Sequence, residues 1–173
     1  MTDRVLITGG AGFVGRHLVR YLLRETDWHI TVLDRIGEGA QLQLLHEMWG
    51  DQSRWRFYWH DLRAPMTSHA GSFRYILHLA AGSHVERSIK FPLEFVADSV
   101  TGTAHMLEFA RRCDGLEKFL HFSTDEVFGS AKPGEAFDEY DSFHATNPYA
   151  ASKAAAEALC PAWANTFGLP IVV

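Results

Sequence analysis

A glycine-rich turn near the start of the chain constrains its fold more than any other feature of the sequence. Residues 8–15 read TGGAGFVG and separate a short apolar segment from an amphipathic one, as at the junction of a β-strand and an α-helix. Gly10, Gly12 and Gly15 fit the spacing G-x-G-x-x-G, and Gly9, Gly12 and Gly15 fit an evenly spaced variant. Either spacing lets backbone N–H groups approach a pyrophosphate at the helix N-terminus. The turn therefore predicts a dinucleotide-binding site at Gly9, Gly12, Phe13, Val14 and Gly15.

An acidic residue at the end of the next apolar segment indicates which dinucleotide is bound. Residues 29–33 read HITVL and are followed by Asp34, nineteen residues after Gly15. A carboxylate at this place accepts the two adenosine ribose hydroxyls and repels a 2′-phosphate, so the sequence predicts NAD rather than NADP. Arg35 follows directly and slightly weakens that exclusion. The alternative is that the glycines only allow the helix to pack closely on the strand. The strand, the helix and the acid at the expected spacing disfavour this alternative.

Strand-like and helix-like segments alternate along the chain without a low-complexity linker or an internal repeat. This alternation predicts an α/β fold: a Rossmann-type doubly wound parallel sheet with helices on both faces, formed by residues 1–173 as one domain. Strands are expected at 4–8, 29–33, 55–59, 75–79, 118–122 and from about 168, and helices at 13–24, 41–49, 92–112 and 148–166.

Composition and charge limit the class of protein. The chain has 173 residues, 47% hydrophobic and 21% charged, which is enough to bury one core. A net charge of −5 without clustered Lys and Arg disfavours nucleic-acid and anionic-membrane partners. No apolar run approaches the ~20 residues that span a bilayer. Two cysteines without CxxC spacing and no secretory signal predict a cytoplasmic protein, and ten histidines without paired spacing predict no metal site.

A second group of residues indicates chemistry in addition to binding. Tyr149 and Lys153 are four residues apart, so they share one face of a helix, where the ammonium can hold the phenol hydroxyl and lower its pKa toward that of a working base. Asp125 and Glu126, which follow Thr124 after the fifth predicted strand, are adjacent carboxyls whose pKa values crowding can push apart. Each group has a plainer explanation, because such acids also cap helices and this Tyr/Lys spacing also arises by chance.

These motifs together resemble the extended short-chain dehydrogenase/reductases of the NAD-dependent epimerase/dehydratase family, and most closely their nucleotide-sugar 4,6-dehydratases. The glycine turn and the Tyr/Lys pair are shared across the superfamily, whereas HLAAGSHVERSI and STDEVFG are more specific to nucleotide-hexose dehydratases. The resemblance covers essentially the whole chain, through segments at 8–15, 61–62, 78–89, 101–103, 123–129 and 149–157.

The resemblance implies a division of labour among the candidate residues. Tyr149 would take the C4 hydroxyl proton of the sugar while Lys153 and Thr124 assist it. Glu126 would abstract the C5 proton, and Asp125 would protonate the departing C6 hydroxyl. The resemblance places further cofactor contacts at Asp61, Leu62, Ala80, Ala81, Ser83, Tyr149 and Lys153, and substrate contacts at Ser83, His84 and Thr124.

The implied reaction converts dTDP-glucose to dTDP-4-keto-6-deoxyglucose by transient C4 oxidation, loss of water across C5 and C6, and return of hydride to C6. A UDP-sugar epimerase or decarboxylase is the nearer alternative, since it shares the Tyr/Lys pair but generally lacks the two acids. A second alternative, of a different functional class, is a non-catalytic NAD-binding or dimerisation module.

The resemblance also implies how the chain is organised. The family continues into a C-terminal lobe that grips the nucleotide sugar, and we expect that lobe to be absent from residues 1–173. We expect a homodimer through the helices at 92–112 and 148–166, with further self-association at the uncovered sheet edge. Pro161 should kink or end the second of these helices, because it lacks an N–H and its ring clashes with the preceding turn.

Overall fold

A computed structural model of the chain describes residues 3–37, 40, 45, 53–66 and 71–173. Most of the helix expected at 41–49 lies outside these residues. The elements are β1 (Arg4–Thr8), α1 (Phe13–Glu25), β2 (His29–Asp34), β3 (Trp55–Trp59), β4 (Tyr75–His78), α2 (Val85–Lys90), α3 (Pro92–Val96), a π-helical segment (Ala97–Thr101), α4 (Gly102–Ala110), β5 (Lys118–His121), a 3₁₀ turn (Asp125–Phe128), α5 (Pro148–Phe167) and β6 (Ile171–Val172).

The six strands form one parallel sheet in the order β3-β2-β1-β4-β5-β6. The order reverses between β1 and β4, where the chain crosses from one side of the sheet to the other. In sheets of this type a ligand binds in the crevice outside the carboxyl ends of the strands at this reversal. The strand order confirms the predicted Rossmann-type fold and locates its crevice above β1 and β4.

Successive apolar side chains of β1 point to opposite faces of the sheet, so they contribute to one core on each face. Val5 and Ile7 pack with α1, whereas Leu6 packs with α4 and with residues of α5. All three are fully buried, as expected for a central strand covered on both faces. This arrangement confirms the prediction of helices on both faces.

The helical stretch expected as one helix at 92–112 is instead divided. Its middle turn, Ala97–Thr101, is π-helical, and the regular helix resumes at Gly102. A β-carbon added at Gly102 would lie 3.3 Å from the Leu62 side chain, so this glycine allows close packing against the loop after β3. π-Helical turns are frequent at functional sites, and this one directs Asp98 and Ser99 toward other elements.

The predicted effect of Pro161 is wrong in one respect. We expected the proline to kink or end its helix, but α5 continues through it for another turn and a half, to Phe167. Pro161 is exposed, so its ring lies on the solvent side of the helix. The helix ends instead at Gly168, a left-handed residue of the kind that commonly terminates helices.

Two buried histidines lie side by side in the sheet below the crevice. His78 and His121 are register partners on β4 and β5, with ring centroids 5.5 Å apart. His78 hydrogen-bonds the hydroxyls of Thr8 at 2.7 Å and Thr103 at 3.0 Å, whereas neither ring nitrogen of His121 has a partner in the described part of the chain. Burial lowers the pKa of both rings, that of His121 to about 3, and the neighbouring Lys153 lowers them further.

These rings should make the fold sensitive to acid. A histidine in the unfolded chain takes up a proton near pH 6.5, whereas the folded rings resist protonation until far lower pH. Their contribution is therefore fully present above pH 6.5 and is lost as the pH falls below it; for His121 the loss continues to about pH 3, at about 1.4 kcal/mol per pH unit. Urea unfolding at neutral and mildly acidic pH should show a shallower pH dependence in His121→Phe than in the unmodified chain. Identical pH dependence in both would contradict this prediction.

Candidate active site

A cavity of about 580 Å³ occupies the predicted crevice, at the carboxyl ends of β1, β2, β3 and β4. Its volume lies within the range of small-molecule and cofactor sites. The cavity brings together every predicted cofactor contact except the Tyr/Lys pair. The predicted residues that line it are Gly9, Gly12, Phe13, Val14, Gly15, Asp34, Asp61, Leu62, Ala80, Ala81, Ser83 and His84.

At two glycines of the turn, another part of the backbone comes too close to leave room for a side chain. Gly9 has φ +70°, and a β-carbon there would lie 2.8 Å from the backbone nitrogen of Ala80. A β-carbon at Gly15 would lie 2.2 Å from the carbonyl oxygen of Gly9, far inside van der Waals contact. Gly9, Gly12 and Gly15 line the cavity, whereas Gly10 packs against Val32. The evenly spaced pattern is therefore the one that forms the cavity wall.

The N-terminus of α1 opens toward this cavity. Gly12 is its N-cap and supplies no side-chain hydrogen bond, and the first turn contains no acidic residue. Phe13 and Val14, the first two helical residues, are 70% and 59% exposed. Unoccupied helix N–H groups and the positive end of the helix dipole favour an anionic group here. The turn thus fits the pyrophosphate of NAD.

Asp34 is held at the cavity wall by the backbone around it. One carboxylate oxygen accepts the Ala11 N–H at 3.0 Å, and the other accepts the Ile36 N–H at 2.8 Å. Ile36 has φ +58°, an uncommon conformation for a β-branched residue, which places its N–H on the carboxylate. Each carboxylate oxygen keeps a free lone pair for a ribose hydroxyl. The geometry is therefore compatible with the predicted role of Asp34.

Removal of the Asp34 carboxylate should reduce the preference for NAD over NADP. We expect Asp34→Ala to bind NAD more weakly, since two hydrogen bonds to a charged acceptor are lost, at roughly 1.5–3 kcal/mol each. NADP should lose less, because repulsion of its 2′-phosphate is also removed. Calorimetric titration of both dinucleotides measures the two affinities, and Asp27→Asn, an acid outside the cavity, is the control. An unchanged preference in Asp34→Ala would contradict the assignment.

The acid motif forms a short 3₁₀ turn after β5. Thr124 caps this turn, because its hydroxyl oxygen accepts the Glu126 N–H at 3.4 Å, and the same hydroxyl donates to Asp125 at 3.3 Å. Asp125 is exposed and Glu126 is half-buried. One Glu126 oxygen accepts a hydrogen bond from the Asn147 side chain at 3.0 Å. Thr124 therefore has a capping role in the structure.

The Asn147 side chain joins the acid motif to the Tyr/Lys helix. Its amide nitrogen donates to Glu126, and its oxygen accepts the Ala150 N–H at 2.8 Å as the N-cap of α5. Asn147 is a site residue that the sequence analysis missed. An asparagine directly before a proline at the first helical position is a recognisable N-cap signal, but nothing in the sequence pairs it with Glu126.

Lys153 is fixed at the end of β5. Its side chain is only 4% exposed, and its ammonium donates a hydrogen bond to the Phe122 carbonyl. Burial lowers the pKa of Lys153 to about 8, opposed by the carboxylate of Glu157. An ammonium has three donors, so two remain for other acceptors. The predicted bond from Lys153 to the Tyr149 hydroxyl is not formed in this structure and stays a prediction for the cofactor-bound protein.

The Tyr/Lys pair and the acid motif lie beside the cavity rather than in its wall. Tyr149 is half-buried, and its ring meets Phe95 edge to face at 6.4 Å between centroids. The same Phe95 ring packs on Gly82, which lines the cavity. Across the sheet, the Phe122 N–H donates to the His78 carbonyl at 3.1 Å. The Phe95 side chain therefore lies between Tyr149 and the cavity wall at Gly82.

The fold and the cavity define a dinucleotide-binding domain of the Rossmann type. The chain belongs to the NAD dependent epimerase/dehydratase family, which matches residues 5–173. This match confirms the predicted family and its cofactor, NAD.

Individual relatives agree with the family assignment. A probable dTDP-glucose 4,6-dehydratase of Sinorhizobium fredii is 38% identical over 98% of this chain and 51% of its own length. The crystal structure of the Streptomyces venezuelae dTDP-glucose 4,6-dehydratase DesIV with NAD bound is 34% identical with a TM-score of 0.88, covering 97% of this chain and 53% of that one. A Bacillus cereus UDP-glucuronic acid 4-epimerase with NAD is 30% identical with a TM-score of 0.85, covering 97% and 54%.

The chain spans about half the length of the curated relatives it matches. Among the residues that the structure describes, no helix is long and apolar enough to cross a membrane. The same residues contain no group of three or more His, Cys, Asp or Glu side chains arranged to hold a metal ion.

Proposed function

We propose that this chain is the cofactor-binding and catalytic half of an NAD-dependent nucleotide-sugar 4,6-dehydratase that acts on dTDP-glucose. One observation carries the proposal: Asn147 hydrogen-bonds Glu126 and caps the helix that presents Tyr149 and Lys153. An elimination acid–base pair and a redox pair are thereby held in one unit beside a dinucleotide cavity.

Bound NAD would supply the acceptor for the C4 hydride and later its donor to C6. Tyr149 would take the proton of the C4 hydroxyl, because its ring lies at the edge of the cavity beyond Phe95. Lys153 would favour the phenolate by its positive charge, and its bond to the Phe122 carbonyl keeps the ammonium on this side of the helix. With a pKa of about 8, Lys153 is mostly protonated at neutral pH, as this role requires.

The two acids would divide the elimination between them. Once C4 is a ketone, the C5 proton becomes acidic and a carboxylate can abstract it. Glu126 fits the base, because the hydrogen bond that the Asn147 side chain donates holds its carboxylate next to the helix of Tyr149 and Lys153. Asp125 fits the acid that protonates the leaving C6 hydroxyl, because it is adjacent to Glu126 and its side chain is exposed and open to a substrate. The hydroxyl of Thr124, which contacts both acids, would hydrogen-bond the C4 oxygen of the sugar.

The relatives support this reaction, but one of them is an epimerase, which is the alternative. The S. fredii and S. venezuelae proteins are dTDP-glucose 4,6-dehydratases, whereas the B. cereus protein is a UDP-sugar epimerase of the same architecture. An epimerase needs the Tyr149/Lys153 pair but has no use for adjacent acids. The intact Asp125–Glu126 pair therefore favours the dehydratase over the epimerase, and equally over a non-catalytic module.

The reaction can be tested directly in the complete enzyme. With dTDP-glucose in deuterated water, we expect a 4-keto-6-deoxy product that carries solvent deuterium at C5, because Glu126 exchanges its proton before C5 is protonated again. UDP-glucuronic acid and UDP-glucose serve as the epimerase substrates. Inversion at C4 of a UDP-sugar without loss of water would replace this proposal with the epimerase.

Homodimerisation and cytoplasmic residence remain predictions. The helical face expected to pair includes Leu93, which is 81% exposed, and Val96, which is 47% exposed. Exposed apolar side chains on this scale suit a subunit contact. Sedimentation of the purified chain should show a species larger than a monomer, and a monomer at all concentrations would contradict the prediction.

A further inference from the structure

An arginine stands beside the acid that selects NAD, where it would be expected to weaken that selection. Arg35 directly follows Asp34, and an arginine near this position is the residue that accommodates the 2′-phosphate of NADP. Asp34 therefore favours NAD, whereas Arg35 by itself would favour NADP. Whether Arg35 can bind a 2′-phosphate depends on the position of its guanidinium.

The guanidinium is held by an aspartate from another part of the chain. Its two terminal nitrogens donate to the two carboxylate oxygens of Asp98, both at 2.6 Å. Asp98 lies on the π-helical segment, 63 residues away, and its side chain is only 10% exposed. A bidentate Arg–carboxylate pair of this geometry fixes the orientation of the guanidinium as well as its position.

A second ion pair lies beside Arg35. Asp61 lies 3.7 Å from Arg35, and Arg63 binds Asp61 through two nitrogens while lying 3.9 Å from Asp98. Hydrogen bonding from Arg63 lowers the pKa of Asp61, and hydrogen bonding to Asp98 raises the pKa of Arg35. Because all four line the cavity, this network is part of the wall at its adenosine end.

We propose that Asp98 is a positioning residue that holds Arg35 away from the ribose 2′ position and thereby excludes NADP. Asp34 alone repels a 2′-phosphate, but a free Arg35 next to it would attract one. Pairing with Asp98 uses the two donors best suited to a phosphate and neutralises the charge. The selection thus depends on a contact between β2 and the π-helical segment, and not only on the acid at the end of β2.

The inference rests on the proposed NAD site and is tested by the binding of NAD and NADP to the purified chain. Asp98→Asn keeps the size of the side chain but removes its charge, so the bidentate ion pair that fixes Arg35 is lost. We expect the affinity for NADP relative to NAD to rise by about tenfold, as for a newly formed hydrogen bond to a charged group. Asp98→Glu, which keeps the carboxylate, should retain the preference for NAD. Asp98→Ser provides a second removal of the carboxylate if Asp98→Asn does not fold.

The double variant Asp98→Asn with Arg35→Gln separates positioning from charge alone. If Asp98 acts through Arg35, the gain in NADP affinity should disappear in the double variant, and in the single variant it should shrink as salt is raised. A gain that survives without Arg35, or an unchanged ratio in folded Asp98→Asn, would overturn the inference. An unmodified chain that binds neither dinucleotide would instead overturn the proposed NAD site.

Discussion

Gly15→Ala should abolish NAD binding and strongly destabilise the chain. The new methyl group would lie 2.2 Å from the Gly9 carbonyl oxygen and 2.6 Å from the Gly10 α-carbon. Both are backbone atoms of the turn, so neither can move without displacing the end of β1. Alanine in a helix is intrinsically more favourable than glycine by roughly 1 kcal/mol, but a clash of this depth in a packed region exceeds that gain.

Gly12→Ala is the matched control for this prediction. Gly12 has φ −69°, which alanine adopts readily, and a β-carbon there meets only the Gly9 carbonyl oxygen at 3.2 Å. We therefore expect Gly12→Ala to fold with nearly unchanged stability yet to bind NAD weakly, since its methyl group would occupy the approach of the pyrophosphate. Urea unfolding and calorimetric titration distinguish the two variants. A Gly15→Ala chain that unfolds and binds NAD like the unmodified chain would show that the turn is not built as described.

The difference between these glycines shows what the sequence could predict and what it could not. The glycine turn and Asp34 were predictable, because a strand, a turn and a helix contiguous in sequence determine their geometry. The sequence alone fits two glycine spacings, and contacts with other strands distinguish them: Gly9 approaches Ala80, more than seventy residues away, whereas Gly10 packs against Val32. The strands were predictable for a similar reason, since a buried parallel sheet requires short continuous apolar segments.

Contacts between distant segments were the part that sequence patterns did not reveal. Asn147 pairs with Glu126 across 21 residues, and Arg35 pairs with Asp98 across 63. No local periodicity links such residues, because the fold brings them together only after the sheet has formed. Pro161 is a case in which the local preference predicts too much. A proline is expected to break a helix, but α5 continues through Pro161, which is exposed.

The largest effect on catalysis should come from the acid pair, and it should differ in kind from the effect of the tyrosine. In the complete enzyme, Glu126→Gln and Asp125→Asn leave Tyr149 and Lys153 in place, so hydride can still leave C4 and NADH absorbance should appear when dTDP-glucose is added. Formation of the 4-keto-6-deoxy product should fall by about 10²–10⁴-fold, since a positioned acid or base contributes that much. Glu139→Gln, which removes an exposed carboxylate elsewhere in the loop before α5, is the control and should leave product formation unchanged.

Tyr149→Phe should give the opposite pattern. Without the phenol hydroxyl no group takes the C4 proton, so the NADH signal itself should be lost and no intermediate should accumulate for the acids to act on. The Phe95 contact depends on the ring rather than on the hydroxyl, so Tyr149→Phe should remain folded. An NADH signal that survives in Tyr149→Phe, or acid variants that form product at the unmodified rate, would mean that oxidation and elimination are not divided between these two pairs. Elimination would then not be the chemistry of this site, and the epimerase would become the better explanation of its Tyr/Lys pair.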